Sequence, residues 1–110
     1  MSAAVILAAG ASRRLGRPKQ LEVREGETLV HRVARLALAA GWAPVLVVTG
    51  CRGDEVEAAV RDLAVTPLRN PDWEEGMASS LRAGVEGLPS HCDGALILLC
   101  DQLFRLILKT

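Results

Sequence analysis

Three runs of apolar residues, each about as long as one β-strand, most constrain the fold of this 110-residue chain. They cover residues 3–9, 44–49 and 95–100. A strand that is apolar at every position, and not only at alternate positions, is buried on both faces, as in a parallel sheet covered by helices. A weaker strand is expected at residues 65–69. The runs therefore predict an α/β fold with a mainly parallel sheet.

The stretches between these strands predict helices, because their apolar residues recur at helical spacing. The first covers residues 28–40 and is closed by Gly41. The second begins where Asp54 and Glu57 have the spacing of a capping box. For the third helix we expect the apolar face to consist of Met77, Leu81, Val85 and Leu88.

Strands that alternate with helices form right-handed βαβ units, and 110 residues suffice for one domain, which we place at residues 1–110. In open α/β sheets, ligands bind beyond the carboxyl ends of the strands, where the strand order reverses. If the first strand is central and the last pairs on its other side, the loop at Gly10 and the carboxylate of Asp101 emerge side by side.

The composition excludes several classes of function. Thirteen basic and thirteen acidic residues give no net charge, so we expect neither nucleic acid nor a membrane surface as a partner. The three cysteines have no paired spacing, which argues against disulfides and a zinc site. No apolar run reaches the roughly 18 residues of a membrane span. These features predict a cytoplasmic protein.

The loop after the first strand reads "LAAGASRRLGRPKQL" and combines small residues with cations. Ala8, Ala9, Gly10 and Ser12 let the backbone approach a ligand closely, and Arg13, Arg14, Arg17 and Lys19 follow them. Backbone amides and fixed cations suit the phosphates of a nucleoside triphosphate. The alternative is a solvated basic turn. The loop matches neither the Walker pattern nor G-x-G-x-x-G.

Two further groups of residues suit the same ligand. Asp101 follows the last strand, where a carboxylate can reach a Mg²⁺ ion that bridges phosphates, although a carboxylate there can also cap the strand end. Ser79 and Ser80 follow the Asn70 turn at the start of the third helix, and their hydroxyls could contact a base or a ribose. Ordinary helix capping is the alternative for the serines.

Taken together, "LAAGASRRLGRPKQL", "NPDWEEGMASSLRAGV" and "LLCDQ" resemble the MobA-like NTP transferase family, and most of all the molybdenum cofactor cytidylyltransferases. The resemblance implies a Rossmann-like nucleotidyltransferase fold, a three-layer sandwich with a mainly parallel sheet. It implies a Mg²⁺-dependent transfer of a nucleoside monophosphate to a phosphorylated acceptor, with release of pyrophosphate. CTP is favoured over GTP as the donor, and molybdopterin is the expected acceptor.

The resemblance also implies roles for individual residues. The nucleotide would be contacted by the segment that contains Ala8, Ala9, Gly10, Ser12 and Arg13. Arg14 and Lys19 would hold the triphosphate, Ser79 and Ser80 would lie beside the cytosine, and Asp101 would bind Mg²⁺.

The chain departs from the family pattern after "CDQ". A proline normally follows this motif, but Leu103 stands here, and the chain ends at Thr110 where an acceptor-binding half and a second metal carboxylate are expected. We therefore expect the C-terminal half to be missing. The alternatives to an active transferase are a truncated or degenerate nucleotide-binding module without catalysis and a plain association domain. The apolar run "LFRLILK" would suit association into a homo-oligomer.

Overall fold

A four-stranded parallel sheet forms the centre of the molecule in the computed structural model, which describes residues 2–11 and 18–100. The strands lie in the order β5-β4-β1-β6. They are β1 (Ser2–Ala8), β4 (Val45–Thr49), β5 (Thr66–Arg69) and β6 (Gly94–Leu99). A separate two-stranded hairpin consists of β2 (Val23–Arg24) and β3 (Glu27–Thr28), and the helices are α1 (Leu29–Ala39), α2 (Gly53–Ala59) and α3 (Met77–Glu86).

The central strand β1 is buried on both faces, as its unbroken apolar run predicts. Ala4, Ile6 and Ala8 belong to the core layer that also contains buried residues of α1 and α2. Val5 belongs to a second core layer with β4 residues, and α3 packs over that face. Successive side chains of a strand point to opposite faces, so one apolar strand supplies both layers. The prediction of a three-layer α/β fold with a parallel sheet is confirmed.

The reversal of strand order lies between β1 and β6, as predicted. β4 and then β5 are added on one side of β1, whereas β6 pairs with β1 on the other side. Leu7 is paired with Leu99, so both strands end at the same edge of the sheet. The chain therefore leaves the sheet toward residue 101 beside the turn that follows β1, although Asp101 itself lies outside the described residues.

The ends of the first two helices differ in how they are formed. Thr28 caps α1 by accepting a hydrogen bond from the His31 N–H, and Gly41 follows the helix in the left-handed region at φ +91°. The capping box expected for α2 is wrong: Arg52 precedes the helix, and the carboxylates of Asp54 and Glu57 accept hydrogen bonds from Arg69 instead. A charged donor at the end of β5 binds these carboxylates in place of the backbone N–H groups.

The buried face of α3 also differs from the prediction. Met77, Leu81 and Val85 are 62%, 38% and 51% exposed, whereas Ser80 and Gly84 face inward. A Cβ atom added at Gly84 would lie 2.5 Å from Cγ1 of Val5. The helix lies so close to the sheet that only small residues fit between them. Leu88 alone of the predicted face packs on the core.

The hairpin was not predicted, although its turn has a recognisable sequence. Glu25 and Gly26 have φ values of 54° and 81°. Two successive positive φ values are typical of the two-residue type I′ turn, for which glycine is favoured at the second position. The helices are short, the longest having 11 residues, and none in the described part of the chain is long and apolar enough to cross a membrane.

Candidate functional site

A cleft of about 350 Å³ lies at the carboxyl ends of β1 and β6. One wall is the turn that follows β1. The other is the segment from a short 3-10 helix at Trp73–Glu75 to the first turns of α3. The described residues that line it are Leu7, Ala9, Gly10, Ala11, Trp73, Glu74, Gly76, Met77, Ser80 and Leu99. The cleft thus occupies the place where the reversal of strand order predicts a ligand site.

In the turn after β1, the carbonyl groups of Ala8, Ala9 and Gly10 each accept a hydrogen bond from another part of the chain. The carbonyl oxygens of Ala8 and Gly10 each accept a hydrogen bond from the Gln20 side-chain amide at 2.9 Å. The Ala9 carbonyl accepts one from the Cys51 N–H at 2.8 Å. In a trans peptide the N–H of the next residue points the opposite way. The N–H groups of Ala9 and Ala11 therefore point away from Gln20, and the N–H group of Gly10 points away from Cys51.

Gln20 occupies a rigid position behind this turn. It is 6% exposed and lies in a short 3-10 helix at Lys19–Leu21, which packs against α1 and α2. Pro18 before it is buried, and Leu21 after it packs on the core. Sequence reasoning did not single out Gln20. The available signal was a long uncharged polar side chain between two residues that are anchored in the core.

The opposite wall is organised by the buried side chain of Asn70. Its Nδ2 donates to Oγ of Ser79 and Oγ of Ser80, at 3.0 Å each, and its Oδ1 accepts from the Asp72 N–H at 3.0 Å. The Ser79 hydroxyl also lies 2.9 Å from the Asp72 carbonyl and 2.8 Å from the Gly76 carbonyl. Asn70 thus joins the end of β5 to the start of α3 and fixes Ser80 beside the cleft.

Trp73 gives this wall an aromatic surface. A Cβ atom added at Gly50 would lie 2.5 Å from Cβ and 2.6 Å from Cγ of Trp73, so the absence of a side chain at Gly50 lets the tryptophan pack closely. Trp73 also packs on the second core layer. Next to it, Met77 and Glu74 also line the cleft. Sequence reasoning missed the roles of Trp73 and Glu74, whereas it placed Met77 with Gly76 and the two serines in the element that could contact a base or a ribose.

The residues predicted for the site fall into three groups. Ala9, Gly10 and Ser80 line the cleft. Three others are not among the lining residues: Ala8 gives its carbonyl to Gln20, Lys19 begins the 3-10 helix beside Gln20, and Ser79 is buried against Asn70. The remaining four, Ser12, Arg13, Arg14 and Asp101, lie outside the described residues.

The chain also carries a charged cluster that does not line the cleft. The imidazole of His31 on α1 lies between the carboxylates of Glu27 and Asp62. Hydrogen bonds that the imidazole donates to the carboxylates of Asp62, first, and of Glu27 raise the pKa of His31. The Arg35 guanidinium, bonded to Glu27 at 2.8 Å and 2.9 Å, together with His31 lowers the pKa of Glu27 to about 2, against a smaller opposing effect of burial. This cluster ties α1 to the segment after α2.

Few side chains in the described part of the chain could bind a metal at the cleft. Among residues 2–11 and 18–100, no three His, Cys, Asp or Glu side chains come together as a metal-binding group. Among the described lining residues, Glu74 and Ser80 are the two whose side chains carry an oxygen atom. Oxygen donors of this kind suit Mg²⁺, which commonly takes one or two protein carboxylates together with phosphate oxygens.

The sequence has relatives with established names. It is 42% identical over 99 residues to a nicotine blue oxidoreductase from Paenarthrobacter nicotinovorans, covering 89% of this chain and 48% of the relative. It is 32% identical over 108 residues to the molybdenum cofactor cytidylyltransferase of Escherichia coli, covering 94% of this chain and 56% of the relative. The chain thus spans about half the length of these relatives.

Solved structures have the same fold. A nucleotidyl transferase from Methanothermobacter superposes with a TM-score of 0.80 at 32% identity, over 93% of this chain and 51% of the other. The complex of Rv0371c from Mycobacterium tuberculosis with manganese superposes with a TM-score of 0.69 at 26% identity, over 96% of this chain and 57% of the other. The nucleotidyltransferase fold implied by the sequence is therefore confirmed.

A model of one protein family matches most of the chain. The model for the MobA-like NTP transferase domain matches residues 4–106. This range contains the whole sheet except Ser2 and Ala3 of β1, together with all three helices and both walls of the cleft. The chain therefore belongs to the MobA-like NTP transferase family.

Proposed function

We propose that the cleft binds a nucleoside triphosphate with Mg²⁺ and that the chain supports transfer of the nucleoside monophosphate to a phosphorylated acceptor. CTP is the preferred donor, and molybdopterin cofactor is the acceptor. The observation that carries the proposal is the turn after β1. The carbonyls of Ala8, Ala9 and Gly10 are held by Gln20 and Cys51, which fixes the directions of the N–H groups of Ala9, Gly10 and Ala11, and these three residues line the cleft.

Consecutive N–H groups suit phosphate oxygens, because each donates a hydrogen bond without requiring a side chain between backbone and ligand. The sequence supplies cations next to these amides. Arg13, Arg14 and Lys19 would balance the charge of the triphosphate, and Ser12 would add a hydroxyl. The planar guanidinium of Arg14 favours bidentate contacts to phosphate, and the ammonium group of Lys19 supplies a compact positive charge, so we assign both residues to the phosphates that leave.

The opposite wall supports a base-binding role. Ser80 accepts a hydrogen bond from Asn70, and its hydroxyl can still donate to a ligand. We assign Ser80 to contact with the cytosine or its ribose and Ser79 to the support of Ser80. Ala9 and the "CDQ" motif resemble the cytidylyltransferase branch, and similarity to the Escherichia coli cytidylyltransferase also supports CTP.

The metal assignment rests on the donor chemistry and on the family. The carboxylate of Glu74 at the cleft opposes an anionic ligand unless a cation lies between them. Asp101 would be the principal ligand, since it follows the strand that ends beside the amide-lined turn. The related structure solved with manganese supports a divalent metal. When bound, Mg²⁺ would neutralise charge on the phosphates.

The proposed reaction needs positioning and charge stabilisation. An oxygen of the acceptor phosphate forms a bond to the α-phosphorus as the bond from this atom to the bridging oxygen breaks, and pyrophosphate leaves. Phosphate monoesters are already largely ionised near pH 7, so no side chain has to act as a general base. The turn amides orient the triphosphate, and the cations of the loop stabilise the charge that develops on the leaving group.

Calorimetric titration with CTP and GTP, each with Mg²⁺ and again with EDTA, tests the proposal. We expect saturable binding that requires the metal and is tighter for CTP. NADPH serves as a comparison ligand, since one relative is named an oxidoreductase and this dinucleotide also contains a pyrophosphate. Absence of binding by CTP and GTP, or tighter binding of NADPH, would contradict the proposed donor.

Substitutions distinguish a phosphate-binding loop from a solvated basic turn. We expect Arg14→Ala and Lys19→Ala each to weaken CTP binding by roughly tenfold or more, as for lost hydrogen bonds to a charged group. Arg61→Ala removes one exposed cation from the segment after α2 and should leave the affinity unchanged. Release of pyrophosphate on addition of an acceptor then separates transfer from binding without catalysis.

A further inference from the structure

We infer that Gln20 is a positioning residue for the nucleotide: its side-chain amide holds the turn after β1 in the orientation that presents the backbone N–H groups to phosphate. The inference deepens the proposed function and rests on it. It concerns an inner residue that does not line the cleft. In this role Gln20 does not contact the ligand itself; the backbone of the turn does.

The hydrogen bonds of Gln20 use its donors fully. A glutamine side chain carries two N–H groups on Nε2. Both carbonyls, at Ala8 and Gly10, lie 2.9 Å from this nitrogen. Because the side chain is buried, water cannot readily replace either bond. No other uncharged side chain of similar length donates two hydrogen bonds from one atom.

The peptide between Gly10 and Ala11 is where this restraint has most effect. Gly10 follows the end of β1, and a Cβ atom added there would meet no atom within 4 Å. Glycine has wide conformational freedom, so this peptide could rotate if its carbonyl lost its partner. Rotation would reverse the directions of the Gly10 carbonyl and of the Ala11 N–H, so that the oxygen would stand where the proposed phosphate-binding N–H had been. A carbonyl dipole would then repel phosphate where an amide had bound it.

The Cys51 N–H cannot take over this restraint. It holds only the Ala9 carbonyl, which lies in the peptide between the two that Gln20 holds. Gln20 also connects two parts of the loop, since it is 12 residues from Ala8 and 10 from Gly10 along the chain. Its own backbone is set by buried Pro18 and by core packing of Leu21. The Gln20 side chain therefore connects the turn after β1 to the core.

The test uses Gln20→Met, which keeps the length but removes both donors, and Gln20→Glu, which keeps the shape and replaces the donors with a carboxylate. Inorganic pyrophosphate and CTP, each with Mg²⁺, are the probes. We expect both dissociation constants to rise by roughly tenfold or more in each variant, measured well below the unfolding temperature. In ¹⁵N-labelled protein, the pyrophosphate-induced shifts of the Gly10 and Ala11 amide resonances should become smaller.

Thr49→Val is the matched control. It removes a buried hydroxyl that donates to Glu57 at 3.2 Å, so it also costs a hydrogen bond of the folded chain. We expect it to lower stability without changing either dissociation constant. Equal affinities of the wild-type chain and folded Gln20→Met, with unchanged amide shifts, would overturn the inference. Absence of binding by the wild-type chain would overturn the proposed function itself.

A measurement on the wild-type chain covers the case in which both variants fail to fold. The two Nε2 proton resonances of Gln20 should shift with pyrophosphate along the same saturation curve as the Gly10 and Ala11 amides. This coupling follows from the two hydrogen bonds, because polarisation of a carbonyl by its donor changes when the ligand binds the adjoining amide. Gln20 resonances that stay constant through saturation would overturn the inference.

Discussion

Ser79 and Ser80 show how two adjacent identical residues acquire different roles. Both accept a hydrogen bond from Asn70, but the Ser79 hydroxyl is also within reach of two backbone carbonyls and lies behind the wall. Ser80 lines the cleft. The sequence predicts both as candidates for contact with a base. The two serines differ only in their positions on the first turn of α3, which places Ser80, and not Ser79, at the cleft.

Alanine at each position tests this difference. Ser79→Ala removes the bonds to Asp72 and Gly76, so we expect a loss of about 1–3 kcal/mol in the free energy of unfolding. Ser80→Ala should cost less stability and should weaken CTP binding several-fold. Urea unfolding and calorimetry measure the two effects. A Ser79→Ala chain with full stability and impaired CTP affinity would reverse the assignment.

Helix α3 explains at the level of elements why hydrophobic periodicity predicted the wrong face. Its larger apolar residues, Met77, Leu81 and Val85, are mostly exposed, whereas Gly84 faces Val5 and Val48. Periodicity locates a stripe of apolar residues but does not measure how closely a helix approaches the sheet. Where the approach is very close, small residues form the contact and larger ones cannot.

We expect Gly84→Ala to destabilise the chain. The added methyl would lie 2.5 Å from Cγ1 of Val5, so α3 or the sheet must shift. Overpacking of this kind costs about 1–3 kcal/mol, partly offset by the roughly 1 kcal/mol by which alanine favours a helix over glycine. Gly94→Ala is the control, since its added Cβ would meet nothing within 4 Å. Thermal unfolding that ranks Gly84→Ala equal to or above the wild type would contradict the close packing.

The cluster around His31 makes the link between α1 and the segment after α2 depend on pH. The pKa of His31 is raised in the folded chain, mainly by Asp62 and then by Glu27. Its contribution to stability is therefore complete below the unfolded pKa of about 6.5 and is lost as pH rises through the folded value. The pKa of Glu27 is lowered to about 2. The stability that its ionised carboxylate contributes is therefore complete above a pH of about 4.5 and is lost as the pH falls toward 2.

His31→Asn should consequently destabilise the chain more at pH 6 than at pH 9. Urea unfolding at both values measures the difference between variant and wild type. His91→Asn replaces the exposed second histidine and provides the control for a general effect of losing an imidazole. A penalty for His31→Asn that is equal at the two pH values would show that the protonated imidazole adds no stability through its carboxylate partners.

Most of the fold could be predicted, because the buried strands are apolar at every position and the helices separate them. The place of the site followed from the same topology. The actual partners of Asp54 and Glu57 and the role of Gln20 could not be predicted in this way. Asp54 and Glu57 bind Arg69, which lies on the next strand, and Gln20 reaches back to Ala8 and Gly10. Both arrangements are tertiary contacts without a local sequence pattern.

For the molecule as a whole, the strand order brings the two walls of the cleft to the same edge of the sheet. Because β6 is added beside β1 after the chain has built β4 and β5, the amide-lined turn and the start of α3 face one another at the same edge of the sheet. The family match covers this entire arrangement. We propose that this cleft, and no other surface of the chain, binds the nucleotide.

The measurement that tests this claim most directly is a titration of the ¹⁵N-labelled chain with CTP and Mg²⁺, followed through its amide and indole resonances. The Ala9, Gly10 and Ala11 amides and the indole N–H of Trp73 should shift together along one saturation curve. Repeating the titration with EDTA should abolish the shifts. Saturable shifts confined to residues around His31 and Asp62, with the turn and Trp73 unchanged, would contradict the account.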